Sequence, residues 1–315
     1  MNWSRTKETV SQKGGHSHSN RIKEKRTVSG TIFDICNYAF MMLFAFVCCY
    51  PFYYIVIYSL SNPNLASDIV FLPRGFTLRN YLDVIRLDGL GQAALISVGR
   101  TVLGTALAVI SNSFCAYLMT KRNMPGRKLI YRFLIVTLYL DSGLIPYYLV
   151  MRAYGFTNNF LYYIVPGMVS VHNIILIKTY MESIPESLEE SARIDGAGYM
   201  RCWWNVLMPL CKPILATIAT FAAVGQWNSW FDSHIYMTDS KLWSLQYVLY
   251  RYLQKAQALA DAIRDQSSYE LSQLVMTPEA VRMTITALVT LPILFVYPFA
   301  QRYFMKGIMM GAVKG

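Results

Sequence analysis

Six stretches of this chain are apolar almost throughout, and each approaches the roughly 20 residues that a helix needs to cross a bilayer core of about 30 Å. They cover about 33–60, 93–120, 134–151, 160–177, 213–231 and 283–301. At that depth no water bonds the backbone, so each stretch is expected to be helical. Composition agrees: 54% of the 315 residues are hydrophobic and 15% charged, with a mean hydropathy of +0.31, which an ordinary soluble domain does not reach. The expected fold is all-α and polytopic, with six transmembrane helices over 31–315 behind a disordered basic tail over 1–30.

Short loops rich in Lys and Arg stay in the cytoplasm. The tail carries Arg5, Lys7, Lys13, Arg21, Lys23, Lys25 and Arg26, and the second connection carries Lys121, Arg122, Arg127, Lys128 and Arg132. The first connection instead balances Arg74, Arg79 and Arg86 against Asp68, Asp83 and Asp88, as a translocated loop does. Alternation then puts the connection around 183–209 and the end with Arg302, Lys306 and Lys314 on the cytoplasmic side. The formal charge of +11 is spread over these juxtamembrane positions, which argues against a nucleic-acid footprint.

The tail is rich in Ser, Gly, His and Lys, so His16 and His18 read as solvated residues rather than metal ligands. Cys36, Cys48, Cys49 and Cys115 fall in apolar runs as small hydrophobes. Cys202 and Cys211 fall in the charged loop, and no pair has zinc-site spacing or marks an extracellular disulfide. The first apolar run starts after some thirty residues and is long enough to span, so it reads as a membrane helix and not a cleavable signal.

Chemistry concentrates in the loop 183–209. Ser183-Ile184-Pro185-Glu186 has the form of a capping box, which predicts a helix start there. Glu186, Glu189 and Glu190 suit the positive end of its dipole, and Ile184, Leu188 and Ala192 recur on one face. Gly196 supplies a left-handed stop. Beyond it Tyr199, Trp203 and Val206 repeat the spacing, and Pro209 and Pro213 mark the return to the membrane. Two short helices joined by a glycine bend are therefore expected under the bilayer. A helix resting on anionic lipid favours Lys and Arg on its polar face, whereas this one has four carboxylates, counting Asp195, against Arg193 alone. A protein partner fits it better.

The run Glu190-Ser191-Ala192, Gly196, Val206-Leu207-Met208-Pro209 resembles the EAA loop of permease subunits in binding-protein-dependent ABC importers. That loop is Glu-Ala-Ala, three residues, Gly, nine residues, Ile, one residue, Leu-Pro, and every spacing is kept here. Ser191, Val206 and Met208 depart from it by small or apolar replacements. Asp195-Gly196-Ala197, the run from Gly225 to Phe231, and the ending from Tyr297-Pro298-Phe299 onward resemble the carbohydrate, maltose-type branch, more narrowly its LplC and YtcP type from Gram-positive bacteria.

The resemblance implies a type I importer permease of the bacterial plasma membrane, both ends cytoplasmic, that moves sugars, above all oligosaccharides. Its implied partners are a second homologous permease, two cytoplasmic ATPase subunits and an extracellular solute-binding lipoprotein. ATP and Mg would sit on the ATPase, with no cofactor in this chain and no catalysis by it. Glu190, Ser191, Ala192, Asp195, Gly196, Ala197 and Pro209 are the implied coupling residues, the carboxylate anchoring the helix and the small residues allowing close approach. Independently, the chain has no Gly-rich phosphate loop ending in Gly-Lys-Ser/Thr. A permease for a non-sugar solute shares the same loop.

A rival class is the intramembrane enzyme, for which buried ionisable groups are the first suspects. Asp34 reads as solvated at a span end and Arg100 as snorkelling to the outer interface. Asp141, in Asp141-Ser142-Gly143 before Pro146, implies a broken helix and is read as a polar pathway group, as a structural partner, for instance of Arg100, or as catalytic. No His-Glu zinc pair or Gly-x-Ser-x-Gly elbow accompanies it. A channel or secondary transporter leaves the acidic loop unexplained, and no internal symmetry supports the latter. For sugar contact, Gln226, Trp227, Asn228, Trp230 and Asp232 gather stacking and hydrogen-bonding groups at the outer end of the fifth span, and an interfacial belt is their alternative reading. Leu245, Val248, Leu249 and Tyr252, then 256–263, predict a helix in the long connection 232–282, which reads equally as a contact for a binding protein or as a lid.

Overall fold

A computed structural model of the chain describes residues 28–62, 71–86, 89–140, 142–265 and 278–312. Asp141, Asp88, Lys314 and positions 1–27 of the tail lie outside the described residues. The described residues are helical with no strand among them. The chain divides into two compact units, 1–51 and 52–315. Helix α1 (Val28–Ser59) begins inside the stretch expected to be tail and carries Pro51. Most of the second unit is helices α2 (Arg79–Ile85), α3 (Leu90–Thr120), α4 (Arg127–Tyr139), α5 (Leu144–Ala153) and α6 (Val171–Met181). The loop region follows with α7 (Ser187–Ile194), α8 (Tyr199–Arg201), a π-helical turn (Cys202–Leu207) and α9 (Met208–Leu210). Finally come α10 (Lys212–Asn228), α11 (Phe231–Tyr236), α12 (Leu245–Asp265) and α13 (Pro278–Ala312).

By length and apolarity α1 and α3 each suffice to cross a membrane. A third span is added if the run Tyr199–Leu210 and α10, bent by 84°, count as one. The third apolar window is broken as expected, α4 ending before and α5 starting after residues 140–143, with Gly143 at φ +74°. The fifth window stops early, because α10 ends at Asn228 and α11 restarts at Phe231. The outer helix expected from Leu245 onward is α12.

The fourth window is not one helix. It holds a short 3-10 turn (Phe160–Tyr163), then irregular backbone to Ser170, then α6. Pro166 has no N–H to give, and Asn112, fully buried on α3, satisfies the irregular segment instead. Its Nδ2 donates to the Met168 carbonyl (3.0 Å) and its Oδ1 accepts from the Ser170 N–H (2.8 Å). Buried non-helical backbone persists only where its polar groups find such partners. Asn112→Leu orphans both groups, at about 1–3 kcal/mol each, so a lower thermal midpoint than wild type is expected in detergent; an unchanged midpoint would remove Asn112 from that role.

Helix α3 is the organising element, packed on α6, α10 and α12. Membrane helices gain little from excluding lipid and associate where small residues let backbones approach. Ala93, Gly104, Ala108 and Ala116 line the buried side of α3. At Gly104 a Cβ would sit 2.7 Å from the Gln226 amide nitrogen, so a larger residue displaces the Gln226 side chain from its present place. One core cluster joins Ala116 and Tyr117 of α3 to Ile174 and Ile177 of α6, Trp203 and Leu207 of the π turn, and Ile214 and Ile218 of α10. Cys202 and Cys211 are buried in the same cluster. A second joins Val84, Ala93, Leu245, Leu249, Ile285 and Val289 across α2, α3, α12 and α13.

Candidate functional site

The site grows from the end of α7. Glu189 and Glu190 stand in its first turn, where the helix dipole favours carboxylates. Its last turn closes with Gly196 at φ +84°. The Gly196 N–H donates to the Arg193 carbonyl (3.0 Å) and the Ala197 N–H to the Ala192 carbonyl (2.9 Å). This is the paired bonding of a Schellman stop, and it requires the left-handed residue that glycine supplies without strain. The glycine stop and the two short helical runs on either side of it match the sequence expectation.

The expected capping box does not form. The Ser183 hydroxyl donates back to the Tyr180 carbonyl (2.7 Å), finishing α6, and Glu186 precedes α7 without a side-chain cap. Ser/Thr bonding to an upstream carbonyl competes with capping, and here it wins. On the expected apolar face, Ile184 and Ala192 pack against the core while Leu188 stays exposed. In the second run Trp203 is buried and Val206 partly buried, but Tyr199 is exposed.

The seven loop positions therefore fall into two sets. Glu190, Ser191, Asp195, Gly196 and Pro209 are exposed, and Ser191 returns its hydroxyl to the Ser187 carbonyl (2.9 Å). Ala192 and Ala197 pack against the core, as do Leu207 and Met208 of the apolar part of the pattern. The same stretch of chain carries Leu188, Ile194, Tyr199, Met200 and Trp204, large apolar side chains that are all at least 45% exposed. Singly such residues mean nothing; five of them within seventeen residues of chain are a concentration of exposed apolar side chains.

A cleft of about 460 Å³ opens beside them, lined by Lys121, Arg122, Arg127, Glu186, Glu189, Glu190 and Arg193 among others. Sequence reasoning read Glu189 only as a dipole residue and Lys121 only as a topology signal. The structure pairs them, with Lys121 donating to Oε2 of Glu189. Oε1 accepts from the Tyr117 hydroxyl (3.1 Å) and from Arg193 (2.7 Å). The available signal was Glu189 four residues before Arg193, the spacing of a helical ion pair. Burial acts to raise the Glu189 carboxyl, but the bond and charge of Lys121, the Tyr117 hydroxyl and Arg193 outweigh it and hold it below its ordinary 4.5. A carboxyl lowered by folding stabilises above its unfolded value and ceases to as pH falls through the folded one. Amide exchange in α7, corrected for intrinsic rate, should accelerate as pH drops below 4.5 in wild type and show no such step in Glu189→Gln.

At the far half of α3 lies a second polar centre. Arg100 is 2% exposed. Rather than snorkelling, it forms a two-pronged pair with Asp232 and also donates to Gln226 Oε1 (3.0 Å) and the Ser229 carbonyl (3.3 Å). Its guanidinium lies 4.2 Å from the Tyr163 ring centre. Its partner among the described residues is thus Asp232; the flat two-oxygen geometry is what a guanidinium matches. Gln226 gives its amide to the Tyr163 carbonyl (3.0 Å), and Trp227 its indole N–H to the Val289 carbonyl (3.0 Å). Asn228 accepts from Gln246 (3.1 Å), and Trp230 stacks on Tyr250 with ring centres 4.1 Å apart. All five suspected sugar contacts, Asp232 among them, have partners within the chain, with Asn228 exposed and Trp230 half-buried. Among the described residues no group of His, Cys, Asp and Glu could hold a metal.

No protein-family model matches the chain. Among characterised proteins it is 35% identical over 292 residues to the protein LplC of Bacillus subtilis, covering 92% of this chain and 97% of that one. It is 31% identical over 286 residues to the polygalacturonan/rhamnogalacturonan transport system permease YtcP of the same organism, covering 90% and 99%. Among solved structures it resembles a chain of a bacterial ABC transporter involved in the import of the acidic polysaccharide alginate, with a TM-score of 0.79, 28% identity and coverage of 88% and 98%.

Proposed function

This chain belongs to the permeases of binding-protein-dependent ABC importers, in their carbohydrate branch, and on that premise we propose that it forms half of the path by which oligosaccharides enter a Gram-positive cell. Proteins of this family are transport subunits rather than enzymes, working in ABC complexes with ATPase and solute-binding partners. The proposed complex adds a second homologous permease, two ATPase subunits carrying ATP and Mg, and an extracellular binding lipoprotein. Six spans with both termini cytoplasmic are the proposed topology.

The observation that carries this reading is the exposed face around Glu190. Glu190 and Ile194, one turn apart on α7, are both exposed, while Ala192 on the helix and Ala197 just beyond it pack against the core. In the proposal Glu190, Ser191, Ala192, Asp195, Gly196, Ala197 and Pro209 form the coupling element that enters a cleft of the ATPase. Closure of the ATPases would rock the helices between two packings. A saccharide substrate is favoured by the polygalacturonan/rhamnogalacturonan and alginate systems to which the chain is similar. Asp141, Gln226, Trp227, Asn228 and Trp230 remain the candidates for the path, with Asn228 the exposed one of the described four.

The test is purification of the chain in mild detergent from its host membrane, then uptake by the reconstituted complex of labelled neutral and acidic oligosaccharides. Co-purification of an ATPase and a second permease, with ATP-dependent uptake of one of the sugars, is expected. Recovery of the chain alone or as a homo-oligomer overturns the importer reading, while an intact complex that imports none of the sugars overturns only the substrate.

A further inference from the structure

Two neighbouring glutamates of the loop have opposite fates. Glu190, which the family pattern carries, is exposed, and none of the ion pairs among the described residues involves it. Glu189, which the pattern does not mention, has a side chain only 15% exposed and is gripped on both oxygens. Two of its three partners belong to α3 or the residue directly after it. Tyr117 is fully buried and cannot swing, and Lys121 caps the helix with its N–H on the Leu118 carbonyl.

Resting on the importer reading above, we propose that Glu189 is a positioning residue for energy coupling, fastening α7 to the Thr120 end of α3. The other attachments of α7 are softer. Ile184, Ala192 and Ala197 contribute small apolar contacts. The Arg122–Glu186 pair is 3.7 Å long with both side chains at least 80% exposed, a geometry that contributes little in water. Hydrogen bonds to an ionised carboxylate that is withdrawn from solvent are the strong and directional ones. Movement imposed on α7 therefore passes through Glu189 into α3. That helix clamps the irregular 168–170 backbone at Asn112 and holds Asp232 at Arg100 further along. Glu190 grips the partner in this arrangement, and Glu189 grips the permease's own body.

The experiment uses the complete complex in proteoliposomes with its binding protein and an imported oligosaccharide from the neutral and acidic set. ATP hydrolysed and sugar taken up are read from the same vesicles. Glu189→Gln keeps the shape and the Tyr117 bond but loses the charge. It should retain the ATPase and hydrolyse ATP within about twofold of wild type, yet import about tenfold less sugar per ATP, inside the usual span of coupling free energies. Tyr117→Phe should give a smaller fall in the same ratio, and Glu186→Gln none. A purely structural role would lower complex yield and both rates together. Unchanged sugar per ATP in Glu189→Gln and Tyr117→Phe overturns the proposal, as does loss of the ATPase from the Glu189→Gln complex, which would make this carboxylate part of the docking face or of the fold. A wild-type complex without ATP-driven uptake strikes the importer reading itself and is read before any variant.

Discussion

Replacing Gly196 with proline is expected to bring ATP-driven uptake to background while leaving the chain inserted in the membrane. Proline holds φ near −65°, whereas this position sits at φ +84° and donates its N–H to Arg193. The variant loses the turn and a bond together, at a cost of about 3 kcal/mol or more, and α7 can no longer exit along its present line. The apolar spans are untouched, so insertion persists. Gly196→Ala is the graded control. Nothing lies within 4 Å of the added Cβ, so only the left-handed conformation is penalised, by about 1–2 kcal/mol, and partial uptake should remain. Uptake and substrate-stimulated ATP hydrolysis of the reconstituted complex decide the matter; normal stimulation in Gly196→Pro would sink the role given to this loop.

The second large effect is expected from the Arg100–Asp232 pair. Arg100→Met strands a carboxylate and deprives Gln226 and the Ser229 carbonyl of their donor. Asp232→Leu strands a guanidinium that is 2% exposed. Breaking a buried pair from one side costs about 3–5 kcal/mol, whereas replacing both charges with apolar groups is often nearly neutral. Either single variant should therefore unfold well below wild type in detergent, and Arg100→Met/Asp232→Leu should recover much of the loss. A double variant as damaged as the sum of the singles would show that Arg100 acts through its Tyr163 and Gln226 contacts rather than its charge partner.

What the chain disclosed in advance depends on whether the controlling interaction was local. The Gly196 stop, the break near Gly143 and the helix from Leu245 were legible because each follows from a few adjacent residues and their backbone preferences. Interactions across helices were not. Asn112 looked like one more polar residue in an apolar run, and its hold on residues 56 and 58 positions away has no periodic signature. The same distance hid Asp232 from Arg100 and Lys121 from Glu189. Ser183 misled for a related reason: its hydroxyl had two local carbonyl or amide partners to choose from, and the pattern showed only one.

The 84° bend between Tyr199–Leu210 and α10 has a mechanical meaning. Backbone hydrogen bonds flank it, from the Cys211 N–H to Leu207 (2.8 Å) on one side and from the Leu215 N–H to Cys211 (3.0 Å) on the other, while Pro213 lacks the N–H that would keep the axis straight. Cys211 itself is fully buried. Two arms meeting near a right angle and turning as one body make a bell crank. At 1.5 Å per residue the arms measure roughly 18 and 25 Å, so a sideways shove at the tip of the shorter arm emerges lengthwise to its own axis at the tip of the longer, enlarged by about 1.4 for a rigid body. In-plane displacement on one side of the corner becomes displacement at right angles on the other.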